Sequence, residues 1–533
     1  MKFTDMYGLN AHPGILTVWR PEPGGGRGAR WRRDGRPPSY AQEAHIVRSL
    51  AAAAPASPSW LAAAFELPGE VRAAALEEAL LRWIDRHESL RSRLVPEGAR
   101  LRRETLAPGA VRIRRSAAGP CLGDREAARR LEELFDRETD PLGWPSYVFA
   151  TVAHAGSTTL YVGADHANVD GYSILLVAYE IRALYAAAVR GTRADLGRVG
   201  SFLDFARSER VGAVLVDDAH ETILQWREFV ARSGGELPSF PASAGGKDAP
   251  ADGPATPTGK DLPGGENACD AAHGTGCVSQ LGGLEWLLDA EQARAFDALC
   301  RGAGGNLFAG LLACLASAGR ASAGHDGHAG EFRTLVPFHT RSHPRWVRSV
   351  GWYVGLAPLR FAVRAGDRFT ELMAGAVRAL DKARPMAAVP FARVAEVLGA
   401  PLEPRFMVSY MDMRLAPGAR QWGEWGAVAL RSRRTHPHEV YFWINRTFEG
   451  IYLSFRYPDT ARGRAEVPRY IDEVRRAVTR VIGAEDVPDV RDVRDAQPAR
   501  GALDGRNARD AQDAQDARDA RDARDGREAA VCG

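Results

Sequence analysis

The sequence predicts an α+β protein of two halves, each with one sizeable sheet, on three observations. At 533 residues the chain exceeds what one ordinary hydrophobic core serves, so two domains are expected. Ser233–Gly276 is rich in Gly, Pro and Ala, poor in large apolar residues, and divides the chain near its middle. On both sides of it, segments that alternate every second residue are mixed with segments whose apolar residues recur at i, i+3 and i+4, the periods of strand and helix.

In the first half, Leu76, Ala79, Leu80, Trp83, Ile84 and His87 fall at helical spacing and predict an amphipathic helix. "SYVFATVA" and "TTLYVGAD" alternate as strands around "HAGS" (154–157) and predict a hairpin. From Gly171 the run "SILLVAYEIRALYAAAV" carries a helical apolar face and stops at Gly191. This puts His166 at a strand end, Asp170 in a turn and Ser173 near a helix N-cap. In the second half, "LDAEQARAFDALCRGAG", "LFAGLLACLASAG" and the closing "VPRYIDEVRRAVTRVI" read as helices. "EFRTLVPF", "GWYVGLAPLRFAV", "FMVSYMDM", "VYFWINRTF" and "GIYLSFRY" read as strands.

The boundaries that follow are 1–232 and 277–486 for the halves, 233–276 for a linker and 487–533 for a tail. The linker cannot bury enough surface to offset its ordering entropy and reads as mobile. From Ala508 to Asp525 the triplet A-[RQ]-D occurs six times. A period of three drifts around a 3.6-residue helix, so no apolar seam forms and the tail reads as disordered.

Composition narrows the function. Hydrophobic residues are 45% and charged residues 26%, with a net charge of +3. That balance gives no field suited to nucleic acid or an anionic membrane. The basic run Arg27–Arg36 reads as a solvated loop. Cys121, Cys269, Cys277, Cys300, Cys314 and Cys532 form no C-x-x-C pair and no zinc spacing. With no signal-like N-terminus, they read as free thiols in a reducing cytoplasm. No uninterrupted apolar run reaches 18 residues, so no membrane span is expected.

"GADHANVDGYS" (Gly163–Ser173) is the stretch that suggests chemistry. A neutral imidazole at His166 suits proton acceptance at physiological pH. Asp170 suits an ion pair with an arginine that fixes the turn. Gly171 permits close backbone approach or an unusual φ, and helix N-terminal N–H groups suit a developing oxyanion. Alone, H-x-x-x-D-G also fits a satisfied core histidine. The pairs His325/His328, His339/His343 and His436/His438 show no third metal ligand. No G-x-S-x-G elbow supplies a serine nucleophile.

The stretch is one of six in order: "RHESLRSRL" (Arg86–Leu94), "DHANVDGYS", "FLDFARSER" (Phe202–Arg210), "VGWYVGLAPLRF" (Val350–Phe361), "VPFARVAEVLG" (Val389–Gly399) and "RFMVSYMDM" (Arg405–Met413). Together they resemble the successive motifs of nonribosomal-peptide condensation domains, and most of all their free-standing relatives, the polyketide-associated acyltransferases. The match runs from about Gly14 to Ile482, linker excluded. The resemblance implies two chloramphenicol-acetyltransferase-like halves in a V-shaped pseudodimer, with a thioester donor and an acceptor entering from opposite sides. It implies His166 as catalytic base, Asp170 as half of a structural ion pair with Arg91 or Arg341, and Gly171 as an oxyanion donor. The first motif histidine is replaced by Asp165, which is read as supporting. Asp165→His is accordingly expected to fold and keep activity.

The function so implied is acyl transfer, to an ester or amide, in natural-product or complex-lipid biosynthesis. The donor is an acyl chain on an acyl or peptidyl carrier protein or on CoA. The acceptor is a small molecule or carrier-bound, no cofactor or metal is required, and the enzyme is expected as a monomer. Two rivals remain. One is a catalytically silent module that docks carrier proteins. The other is a cyclisation-type variant, because Asp165 and Asp170 match a D-x-x-x-x-D spacing.

Overall fold

The computed structural model describes residues 1–9, 11–25, 30–51, 57–98, 100–241, 278–323 and 330–483. The expected tail, most of the expected linker, His325 and His328, and Cys269, Cys277 and Cys532 lie outside the described residues.

In chain order the first part forms β1 (Phe3–Thr4), β2 (Gly14–Pro23), β3 (Arg32–Asp34), α1 (Tyr40–Ala51), β4 (Trp60–Pro68), α2 (Ala73–Arg86), β5 (Ser92–Glu97), β6 (Arg100–Thr105), β7 (Val111–Cys121) and α3 (Asp124–Glu138). β8 (Tyr147–His154), β9 (Ser157–Asp165), α4 (Gly171–Arg190), α5 (Phe202–Ala213) and α6 (Glu221–Ala231) follow. The second part forms β10 (Gln280–Asp289), α7 (Ala290–Gly302), α8 (Leu307–Ala323), β11 (Gly330–His339), α9 (Pro344–Val347), β12 (Val354–Val363) and α10 (Phe369–Met386). It closes with α11 (Phe391–Leu398), β13 (Phe406–Asp412), β14 (Val428–Arg431), β15 (Val440–Arg446), β16 (Gly450–Pro458) and α12 (Ala461–Gly483).

Two large sheets organise the chain, β1-β14-β4-β9-β8-β2-β7 and β10-β16-β15-β13-β11-β12, with a small sheet β3-β6-β5 beside the first. This is the two-lobed α+β architecture expected. On the first sheet, Leu61, Ala63, Phe65, Leu160 and Val162 face α2 and α4. The alternate residues Trp60, Ala62, Val148 and Tyr161 face Leu131 and Phe135 of α3. Both faces are covered, so the strand pattern is nearly continuously apolar. In the second lobe, α7, α8, α10 and α12 cover one face of the sheet, with Phe406, Phe442, Leu453 and Tyr470 in the core.

The predicted hairpin closes in register, with His154 opposite Ser157. The turn Ala155-Gly156 needs a left-handed residue, and Gly156 supplies it at φ +86°. The apolar positions predicted for α2 are buried, and His87 lies just past the helix end beside Glu180.

Four features depart from the sequence reading. β14, from the second half, pairs with β4 of the first sheet. α5 and α6 pack on the second lobe, Phe205 against Trp346 and Trp226 against Phe391. The start of the expected linker is packed: Leu237 is buried, and Phe240 sits 5.0 Å from the Tyr470 ring. Two large apolar side chains suffice to anchor nine residues that composition alone marks as mobile. Finally, α4 is long and apolar enough to span a bilayer by length and composition, but it is 61% buried in its lobe. It reads as a core helix. Cys121, Cys300 and Cys314 are buried free thiols.

Candidate active site

β9 ends at Asp165 and α4 starts at Gly171, so residues 166–170 form a short loop between sheet and helix. Asp170 is the N-cap: its backbone is extended and its Oδ1 accepts from the Ser173 N–H at 2.7 Å. The same carboxylate accepts a two-pronged pair from Arg341, Nη1 to Oδ2 at 2.7 Å and Nη2 to Oδ1 at 2.9 Å. The Tyr353 N–H adds a bond to Oδ2 at 3.0 Å. Arg341 also donates to Ser173 Oγ and stacks on the Tyr353 ring. Burial alone would raise the Asp170 pKa, but Arg341 and the Ser173 bonds hold it below the usual carboxylate range. Asp170 and Ser173 come from the first lobe, Arg341 and Tyr353 from the second. The loop is thus clamped across the lobes by a buried ion pair.

His166 follows directly on β9 and is half-buried. Its ring lies 4.1 Å from the Trp352 ring, centroid to centroid, and Nδ1 is buried without a hydrogen-bond partner. Burial first, then the charge of His45, pushes its pKa down to about 4, with Asp165 opposing. The imidazole is therefore neutral throughout the physiological range. Trp352 comes from Gly351–Tyr353, which the sequence reading assigned to a strand. These residues form the connection before β12 instead, and that puts the indole over His166.

Asp165 turns away from His166. It is fully buried and accepts from His45 Nε2 at 3.0 Å, Ser59 Oγ at 2.5 Å and the Ala167 N–H at 2.8 Å. Burial raises the Asp165 pKa; His45, Ser59 and the Ala167 amide together bring it below its ordinary value. His45 lies on the buried face of α1, so α1, β4 and the motif loop are tied at one carboxylate.

The remaining expected residues separate. Arg91 takes no part in the Asp170 pair: its guanidinium donates to the Leu106 carbonyl at 2.5 Å and faces Asp85 at 3.6 Å. Gly171 does not have a positive φ, and an added Cβ would meet only Met411 and Phe3 at ordinary contact distance. Its place at the first turn leaves its N–H without an intrahelical acceptor. Sequence reasoning missed His45, Ser59 and Trp352. Trp352 lies in the quoted stretch Val350–Phe361, but no local spacing ties a helix, a strand entry and a distant loop to one histidine. Among the described residues no cluster of His, Cys, Asp and Glu has the makings of a metal site.

No protein-family model matches the chain. It is 25% identical over 482 residues to the 2'-acyl-2-O-sulfo-trehalose (hydroxy)phthioceranyltransferase PapA1 of Mycobacterium bovis, covering 88% of this chain and 86% of PapA1. It is 25% identical over 480 residues to the trehalose-2-sulfate acyltransferase PapA2 of the same organism, covering 88% and 94%. The solved PapA2 acyl transferase superposes with a TM-score of 0.77 at 22% identity, over 91% of this chain and all of that one. The first condensation domain of the calcium-dependent antibiotic synthetase superposes at 0.60 and 16%, over 86% and 98%. In sequence the chain is similar to the Pap acyltransferases, and it shares the fold of the solved PapA2 and of the condensation domains.

Proposed function

We propose that the chain moves an acyl group from a thioester, on a carrier protein or on CoA, to a hydroxyl or amine of its acceptor, with His166 as general base. The observation that carries this reading is a neutral, half-buried imidazole on a loop that Asp170 and Arg341 lock between the lobes. His166 removes the acceptor proton as its oxygen or nitrogen attacks the thioester carbon. The oxyanion so formed meets the free N–H groups at the start of α4, Gly171 first. Collapse expels the thiolate, which takes the proton back from His166. A thioester is already activated, so positioning, deprotonation and oxyanion stabilisation suffice. The names of PapA1 and PapA2 describe acylation of a sulfated trehalose, which supports a hydroxyl acceptor and complex-lipid assembly here.

The test is transfer of a labelled acyl group from acyl-CoA or acyl carrier protein to pooled sugars, alcohols and amines, read by intact mass. Product formation by the wild type and its loss in His166→Ala is the expected result. Wild-type protein that binds carrier protein but transfers nothing would favour a docking module instead.

A further inference from the structure

Where β14 of the first sheet meets β15 and β16 of the second, Arg431 and Arg456 come together, with Glu439 as the one carboxylate in an ion pair with either among the described residues. Arg431, at the end of β14, lies over the Trp443 ring at 3.9 Å and the Phe3 ring at 4.5 Å. It donates to Ser454 Oγ at 3.0 Å and forms no ion pair with a carboxylate among the described residues. Arg456 lies 5.5 Å from the rings of both Trp443 and Tyr441, and its Nε is buried without a partner. Glu439 approaches Arg456 at 3.4 Å, but it also lies 3.8 Å from His436. Arg434 adds a further positive charge felt by Arg456. Burial, and for each the charge of a neighbouring arginine, pushes Arg431 down to about 9 and Arg456 to about 10. Like charges held this close in a poorly solvated place are unfavourable unless something neutralises them.

The register places this group near the motif loop. Leu61 of β4 pairs with Arg431 on one side and with Ala164 on the other. Residues directly opposite share a face, and strands lie about 4.8 Å apart, so the Arg431 backbone is roughly 10 Å from that of Ala164. Ala164 is two residues before His166. Arg431 therefore stands at the end of the first sheet from which the motif loop leaves, and Arg456 is brought to it from the second sheet.

We propose that Arg431 and Arg456, supported by Ser454 and Trp443, bind a tetrahedral oxyanion, a sulfate or phosphate ester borne by a substrate on its way to His166. Planar guanidinium forks suit such oxygens, and the Ser454 hydroxyl adds a donor. The proposal rests on His166 as the working end, but its first test does not. The full chain is melted in inorganic sulfate, in phosphate and in chloride at matched ionic strength. Sulfate and phosphate are expected to raise the melting temperature beyond chloride, and Arg431→Gln and Arg456→Gln to weaken the apparent affinity at least tenfold. Arg431→Lys, which keeps the charge but not the fork, gives an intermediate response and serves if the Gln variant does not fold. Equal melts in sulfate, phosphate and chloride, or an unchanged response in both Gln variants, would overturn the site.

Two further arms find the source. A response to glucose 6-sulfate or 6-phosphate but not glucose, lost in Arg431→Gln, places the ester on the acceptor. A response to CoA exceeding that to dephospho-CoA, lost in the same variant, places it on the donor. Binding of the inorganic ions with neither ester response means an adventitious ion only, and overturns the substrate assignment.

Discussion

At the scale of single residues, His166, Asp170 and Asp165 are expected to fail in different ways. His166→Ala removes a proton acceptor from a half-buried position, so acyl transfer should fall by about a hundred- to ten-thousand-fold. Its melting temperature should stay near that of the wild type. The low His166 pKa also fixes a pH dependence. The unfolded chain binds this proton near pH 6.5 and the folded chain only near 4. The unfolded state therefore gains as pH falls through that window, and His166 costs stability there. His166→Gln should accordingly lose less melting temperature than wild type between pH 7 and pH 5. The acid limb of kcat/KM should lie well below 6, and a limb centred near 6.5 would contradict the burial of the ring. Asp170→Ala leaves Arg341 buried and unpaired, at roughly 3–5 kcal/mol, a large part of a domain's stability. A thermal or urea melt reads this directly. For Asp165 the structure revises the sequence expectation. A histidine there meets His45, loses the acceptor for three donors and overfills a sealed site, at about 1–3 kcal/mol. Asp165→His should therefore melt earlier, and the exchange His45→Asp with Asp165→His should recover part of the loss.

At the scale of elements, the motif loop is only as well placed as β9 and α4. Gly163, two residues before Asp165, packs against the Phe135 ring of α3, and an added Cβ would sit 2.5 Å from it. Gly163→Ala should cost about 1–3 kcal/mol by overpacking and should lower transfer through a shifted strand end. Comparing its melt and kcat with those of the wild type checks both effects. The elements were legible where one signal dominated: the α2 stripe, the hairpin with its Gly156 turn, and the α4 run ending at Gly191 in the left-handed conformation. Gly351–Tyr353 was misread because its two aromatic residues, flanked by Val350 and Val354, resemble a strand. Its residues instead serve the junction, where the Gly351 N–H donates to Ser173 Oγ and the Tyr353 N–H to Asp170.

At the scale of the whole molecule, the lobes are joined by more than the ion pair. β14 enters the first sheet, the Phe3 N–H donates to Tyr452 Oη at 2.9 Å, and Ser89 donates to the Val350 carbonyl at 3.0 Å. Every described strand, helix and core residue lies before residue 484. A chain truncated after Gly483 should therefore melt as the full chain does and keep its transfer activity. Loss of either would show that residues beyond Gly483 contribute to the fold or the site.

The sequence by itself determined the two-lobed α+β class, the position of His166 at a strand end and of Asp170 at a helix start. Those depend on period, turn chemistry and capping, which act over a few residues and leave a mark in the local pattern. It narrowed the partner of Asp170 to two arginines and went no further, because Arg91 and Arg341 carry the same guanidinium. Only the tertiary structure chose Arg341, set Trp352 over His166, turned Asp165 toward His45, and brought Arg431 beside Arg456. Each of these joins residues far apart in the chain, and which of them meet is decided by how the sheets register and the lobes pack.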